Sequence, residues 1–251
     1  MSIWIIGASS GIGAALALKY AKNNKVIVSG RRIEKLAELA NQNDNITIAP
    51  LDVLSPKLED QIKEYLTKLG SPKLLIYAAG IAMHVQFSQI TDLHKVYETV
   101  MGTNFTGLVR VMGAVPRCQF VVISSVAGEI SPPYLSLYAA AKHALNGFCE
   151  SLQNEGYDIT IICPGYVKTE IDLHKIVGDG SPEEVKLNID SNKYMDLDRA
   201  CDLIIYAQMS HKRFYHLTYS GLIGTMIKPL LPNIINNLVK GEMYKITGEN
   251  I

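Results

Sequence analysis

Ile3-Trp4-Ile5-Ile6-Gly7-Ala8-Ser9-Ser10-Gly11-Ile12-Gly13 is the stretch that decides the fold class. Its first four residues are a continuous apolar run rich in β-branched side chains, the pattern of a strand buried on both faces of a parallel sheet. Glycines follow at once, and beyond them Ile12, Ala15, Leu16 and Tyr20 recur at helical spacing. A glycine-rich turn between a buried strand and a helix exposes backbone N–H groups at the helix N-terminus. The partial positive charge there suits a pyrophosphate. The spacing is G-x-x-x-G-x-G rather than the general dinucleotide fingerprint G-x-G-x-x-G, but the strand-turn-helix context is the one that fingerprint requires.

Outward from this turn, strands and helices alternate. Lys25 to Ser29 reads as the second strand, Ile46 to Leu51 as the third, Leu74 to Tyr77 as the fourth, Phe120 to Ile123 and Asp158 to Cys163 as later ones. The charged, amphipathic stretch Leu58 to Leu69 reads as a helix, with Pro56 suited to its first turn. Such alternation predicts an α/β domain, one doubly wound parallel sheet with helices on both faces. The 251 residues, 48% apolar and 19% charged, suffice for a large core, and a single domain over residues 1–251 is expected.

Formal net charge is zero, which argues against nucleic acid and an acidic membrane surface as partners and for a small molecule. Cys118, Cys149, Cys163 and Cys201 are scattered without a C-x-x-C pair, so no metal site is expected and buried free thiols in a reducing compartment are. Met1-Ser2 offers no basic region ahead of the first apolar run, so a cytoplasmic protein is expected.

After the second strand comes Gly30-Arg31-Arg32. A site that reads a free ribose 2′-hydroxyl usually carries an acid about 20 positions after the glycine turn, whereas arginine there suits a 2′-phosphate. No acid is present. Arg31 is expected to fork onto the phosphate and Arg32 to cover the adenine, which favours NADP over NAD. The plain alternative is that the two arginines begin a solvated helix. At the end of the third strand Asp52-Val53 would lie at the adenine edge, or Asp52 would cap the following helix. After the fourth, Ala78-Ala79-Gly80 are small enough for a ligand to lie against the backbone.

Tyr138 and Lys142 are four residues apart in a helical pattern, on one face and one turn from each other. A nearby ammonium favours the phenolate, so Lys142 would make Tyr138 a usable acid/base near neutral pH. Ser125, just after the run Phe120 to Ile123, would bring a hydroxyl to the same substrate oxygen.

Gly7 to Gly13, Asp52, Ala78-Ala79-Gly80, Asn104, Ser125, Tyr138, Lys142 and Pro164-Gly165 occur in the order and approximate spacing of the short-chain dehydrogenase/reductase family, which the chain resembles over roughly residues 3 to 210. The resemblance implies a Rossmann-type sheet of about seven strands and a nicotinamide cofactor across the carboxyl ends of the strands. It also implies a tetrad: Tyr138 as acid/base, Ser125 polarising the carbonyl, Lys142 on the nicotinamide ribose, and Asn104 holding a relay water. The cofactor would be bound by Gly7, Ser9, Ser10, Gly11, Ile12, Gly13, Arg31, Arg32, Asp52, Val53, Ala79, Gly80, Tyr138, Lys142, Pro164 and Gly165. The segment Pro164 to Thr169 resembles the family's P-G-x-V-x-T, which adds Val167 and Thr169.

Some positions depart from the family pattern. Ile6 stands for a usual threonine, Ala78 for an asparagine that ties the central strands, and Ala141 for a serine. Shortened segments between Asn104 and Ser125 and at Gln153 to Tyr157 put the usual family dimer in doubt. The polar stretch from Glu170 to Lys193, near 170–195 as a whole, is expected to be a substrate loop. Asp196 to Met209 reads as helical, and Arg213 to Leu217 as a last strand.

The tail, Gly221 to Val239, is unusually apolar but is interrupted by Lys228, Pro229, Pro232 and three asparagines, so it is no membrane span. Burial against its own domain or a sister subunit is the first reading, with an amphipathic surface anchor or a pocket wall as alternatives. The expected activity is NADP(H)-dependent interconversion of a carbonyl and an alcohol. The alternatives are a cofactor-binding regulatory or scaffold protein without turnover, and an epimerase or dehydratase on the same fold.

Overall fold

The computed structural model describes residues 2–169, 175–184 and 189–247. Its strands are β1 (Ser2–Ile6), β2 (Lys25–Ser29), β3 (Ile46–Ile48), β4 (Leu74–Tyr77), β5 (Ala82–Met83), β6 (Gln119–Ile123), β7 (Ile159–Cys163), β8 (Lys175–Ile176), β9 (Pro182–Glu183) and β10 (Phe214–His216). Seven of them form a parallel sheet in the order β10-β7-β6-β4-β1-β2-β3, while β5, β8 and β9 form a small separate one. The chain builds outward from β1 through β2 to β3 and then returns to lay β4 on the other side of β1. The strand order therefore reverses between β1 and β4, and in open α/β sheets ligands bind at the carboxyl ends of the strands beside such a reversal.

Both faces are covered, as the unbroken apolar strands require. Along β1, Ile3 and Ile5 point into one core with α1 (Gly11–Ala21), α2 (Ile33–Ala40) and α7 (Leu197–Met209). Trp4 and Ile6 point into the other, with α3 (Leu58–Leu69), α5 (Gly107–Ala114) and α6 (Ser136–Asn154). The alternation follows from the two-residue period of a strand. Trp4 and Ser29 sit at the centre; the Trp4 indole donates to Ser29 Oγ at 2.8 Å, so the one buried polar atom of the ring is satisfied. The remaining helices are α4 (Leu93–Met101), joined to α5 by a π-helical segment Gly102–Thr106, then α8 (Tyr219–Ile227) and α9 (Pro232–Thr247).

Several expectations are adjusted. β3 ends at Ile48 rather than Leu51. The chain stays extended beyond it, Ala49 N donating to Val28 O and Leu51 N to Gly30 O, and Pro50 between them sits on the edge strand, where its missing N–H would have pointed away from β2. Asp52 does not cap α3: its Oδ1 accepts from Leu54 N at 3.0 Å, a local turn, and α3 starts after Lys57 with Pro56 just outside it. Part of the expected substrate loop, residues 170–174 and 185–188, lies outside the described residues; β8 and β9 form within the rest. The tail is not buried against its own domain. Most large side chains of α8 and α9 face solvent, and only Gly221, Ile235, Met243 and Ile246 are enclosed. All four cysteines are free thiols, three of them buried. No described helix is long and apolar enough to cross a membrane.

Candidate active site

The glycine turn is built by close approach. Gly7 has φ +88°, and a Cβ there would lie 2.3 Å from Ala79 N; a Cβ on Gly13 would lie 2.3 Å from Gly7 O. Only glycine permits either. Gly11 has φ +53° and faces the Thr169 side chain, with 3.3 Å from its would-be Cβ to Thr169 Cβ. The turn, Ala79 and Thr169 thus converge at the reversal point although they lie far apart in sequence. Ser10 occupies the N-cap of α1 in extended conformation and makes no side-chain cap bond. The first-turn amides are therefore not taken up by their own cap, and the cradle fits a nucleotide pyrophosphate. Ile12 packs at the rim of the core beneath.

Arg32 is held at this turn: Nε donates to Ser9 Oγ at 3.3 Å and Nη2 to Ser9 O at 3.2 Å. Arg31 is exposed. The structure therefore tethers the second arginine, not the first, to the turn. Gly30 allows it, since a Cβ there would press on Ser9 Cβ at 3.3 Å. The Val53 side chain is buried, packed where Gly107 has none, and its carbonyl faces Arg110. On the far side of the crevice Pro164 O accepts from Val126 N at 2.9 Å. A Cβ on Gly165 would lie 3.0 Å from Thr218 Oγ1, and Val167 is clipped to Met195 just ahead of α7.

Two of the four residues expected to form the tetrad, Asn104 and Lys142, meet at Gly80. A Cβ there would lie 3.1 Å from Asn104 Oδ1 and 3.7 Å from Lys142 Nζ. Asn104 occupies the π-helical segment, where one extra residue per turn leaves carbonyls without their usual partner. Its Nδ2 donates to Val100 O and Ile81 O, both at 2.9 Å, and its Oδ1 accepts from Ile81 N at 3.3 Å. Tyr77 completes the bulge from below by donating from its hydroxyl to Thr103 O at 2.8 Å, in full burial that raises the phenol pKa.

Lys142 is 3% exposed and donates to Ile123 O at 3.0 Å. Burial pushes its pKa down to about 8. Its Nζ lies 5.7 Å from the ring centroid of the half-buried Tyr138, the relation their spacing of four predicts. Ser125 sits two residues beyond Ile123, capping a short 3-10 turn, where its Oγ accepts from Ala127 N at 3.1 Å. The accepting role leaves the hydroxyl proton free to donate outward.

A clamp that sequence reading missed holds this serine loop. Ser124 Oγ donates to Asn146 Oδ1 at 2.6 Å, and Asn146 Nδ2 donates to Gly128 O at 3.1 Å. Asn146 lies four residues after Lys142 and shares its face of α6, the one signal that could have marked it. A pocket of about 310 Å³ is lined by His84, Val85, Gln89, Tyr134, Val177 and Gly178, of which Val85 belongs to the apolar cluster that Tyr138 packs against. The His84 and Tyr134 rings stack there at 4.9 Å. Tyr134 adopts φ +66°, rare for a side-chain-bearing residue, two residues ahead of the helix that carries Tyr138.

Comparison with known proteins accords with this geometry. A model of the short chain dehydrogenases matches residues 2–176. The chain is 33% identical over 270 residues to dehydrogenase/reductase SDR family member 7B of Xenopus laevis, covering 97% of this chain and 82% of that one. Among solved structures, a short chain dehydrogenase/reductase from Burkholderia phymatum in complex with NAD aligns with TM-score 0.75 at 21% identity, over 93% of this chain and 94% of that one. A short-chain dehydrogenase from Sphingobium yanoikuyae in complex with NADPH gives TM-score 0.75 at 23% identity and the same two coverages; at these identities the two structures speak for the fold. With the family model spanning the glycine turn, the π segment and the Tyr138–Lys142 helix, the chain belongs to the short-chain dehydrogenase/reductase family of oxidoreductases.

Proposed function

We propose that the chain is an NADP(H)-dependent oxidoreductase interconverting a carbonyl and an alcohol, with Tyr138 as the acid/base. The observation that carries the reading is the buried Lys142, a cation without a carboxylate among its described contacts, held one turn from Tyr138 and against the strand end that leads to Ser125. Burying an ammonium costs stability, so its retention favours a chemical use.

The turn from Gly7 to Gly13 would hold the pyrophosphate, Arg32 and Arg31 the 2′-phosphate, Asp52 and Val53 the adenine edge, and Ala79, Gly80, Pro164, Gly165, Val167 and Thr169 the nicotinamide half. When bound, the nicotinamide supplies or accepts the hydride. In the reducing direction Tyr138 gives its hydroxyl proton to the carbonyl oxygen while Ser125 donates a hydrogen bond to the same atom. Lys142 stabilises the phenolate left behind. Asn104, whose Oδ1 keeps one lone pair beyond its bond from Ile81, would hold the water that returns a proton. The NADP preference is supported by the arginine pair and the missing acid; relatives in complex with NAD and with NADPH support a nicotinamide cofactor of either kind.

The test is Tyr138→Phe, assayed with NADPH against aldehydes, ketones and quinones at the nicotinamide absorbance. A loss of at least ~100-fold in kcat with NADPH affinity unchanged is expected; an active variant would remove Tyr138 from the role.

A further inference from the structure

α8 is built inside out. Its inward face carries small residues: Gly221 lies against Val126 and Gly224 against Ile130, where added Cβ atoms would meet Val126 Cγ2 at 2.7 Å and Ile130 Cδ1 at 3.1 Å. Its large apolar residues point outward at helical spacing, Tyr219 at 83% exposure, Ile223 at 54%, Met226 at 66%, and Leu230 just beyond the helix end at 79%. α9 contacts α8 and exposes Ile234 and Leu238, while Ile235, Met243 and Ile246 form its buried face. More than half of the exposed large apolar side chains among the described residues lie between 219 and 244. Exposed apolar side chains concentrated on two neighbouring helices mark an interaction surface.

The charges select the partner. In a chain of zero net charge, α9 carries Lys240 and Lys245 against one acid, Glu242, which is itself paired with Lys193. Lys240 and Lys245 are exposed. Exposed tyrosines stand at the outer ends of the pair, Tyr219 opening α8 and Tyr244 in the last turns of α9, the residue type that settles at the level of lipid headgroups. Neither helix is long enough to span a bilayer. Aliphatic residues outward, lysines beside them and no span are the attributes of helices that lie in a membrane interface.

We propose that the outer face of α8 and α9 docks the enzyme on an anionic lipid surface. The docked face backs directly onto the loop that carries Ser125. Lys228 Nζ donates to Glu129 O, and Glu129 Oε1 accepts from His216 Nε2 at 2.7 Å, so the helix pair and the serine loop are fastened together.

The experiment is flotation of the purified full chain with vesicles of phosphatidylcholine alone and of phosphatidylcholine with phosphatidylserine, beside sedimentation without vesicles. The chain should float with the anionic vesicles and more weakly with the neutral ones. The triple variant Ile223→Glu, Met226→Glu, Leu230→Glu should lower flotation more than ~10-fold, with helix content, melting temperature and cofactor binding unchanged, because all three side chains are exposed. Lys240→Glu with Lys245→Glu should abolish the preference for phosphatidylserine. Absence of flotation overturns the proposal, as does equal flotation of the triple variant. A dimer in sedimentation that the triple variant dissolves, with no flotation, would assign the face to a second copy of the chain instead.

Discussion

Lys142 Nζ donates to the carbonyl of Ile123 at 3.0 Å, joining the middle of α6 to the last residue of β6, two positions before Ser125. This bond sets the height of the ammonium within the crevice. One of its three donors is spent on the backbone, and the others are left toward Tyr138 and the Gly80 side.

The burial that enforces this geometry is destabilising, with a calculable sign. The pKa of Lys142 falls from 10.5 to about 8 on folding, so between these values the unfolded chain binds more protons than the folded one. The cost is full below pH 8, and stability gained from its relief grows as pH rises from about 8 to 10.5. Lys142→Met should therefore be more stable than the parent at pH 7 by about 2–3 kcal/mol, and the difference should shrink as pH approaches 10.5. Urea unfolding of both proteins at pH 7, 9 and 10 measures it; a pH-independent difference would show that the ammonium is not desolvated. Activity should fall at least ~100-fold in the same variant.

The two arginines should separate by cofactor. Arg32→Ala removes the side chain already tethered to Ser9 and should weaken NADPH by ~10-fold or more while changing NADH little. Arg31→Ala should act in the same direction. Fluorescence titration with each cofactor reads this, and equal losses for NADPH and NADH would refute 2′-phosphate recognition.

Much of this was legible beforehand, for a physical reason. β1, β2 and β4 are buried on both faces and read as unbroken apolar runs with sharp ends, so their limits came out within a residue of those observed. The glycine turn was legible because close approach leaves only one residue type possible. Asn104 was found by its place in a family pattern, but the π segment around it was not, since the bulge depends on Tyr77 reaching Thr103 across 26 positions. The two-residue strands β5, β8 and β9 carry no periodicity to read. Of the readings open for the apolar tail, burial against its own domain does not occur, because hydropathy reports what a residue is, and only packing reports that α8 turns its glycines inward.

Glycine positions give a paired prediction. Gly7→Ala places a Cβ 2.3 Å from the Ala79 backbone at φ +88°, and backbone cannot swing away, so the variant should lose several kcal/mol or fail to fold, and bind no cofactor. Gly113→Ala, in α5 with open space around it, should gain about 0.5–1 kcal/mol. Thermal melts of the two check the contrast; a well-folded, cofactor-binding Gly7→Ala would mean that β1 and β4 are not held at this spacing.

Asn146 tests whether Ser125 is positioned by its surroundings. Asn146→Leu removes an acceptor from Ser124 and a donor from Gly128 in a site 5% exposed, leaving two buried polar groups without partners, at a cost of about 2–4 kcal/mol. Because the two bonds bracket Ser125, the loop should lose its fixed conformation. The expected kinetic signature is a kcat lowered by ~10-fold or more with NADPH affinity unchanged, since the glycine turn and Arg32 lie on the opposite side of the crevice. Asn146→Asp, which keeps an acceptor for Ser124, should recover part of the rate. A variant that loses stability alone, with kcat intact, would confine Asn146 to the fold.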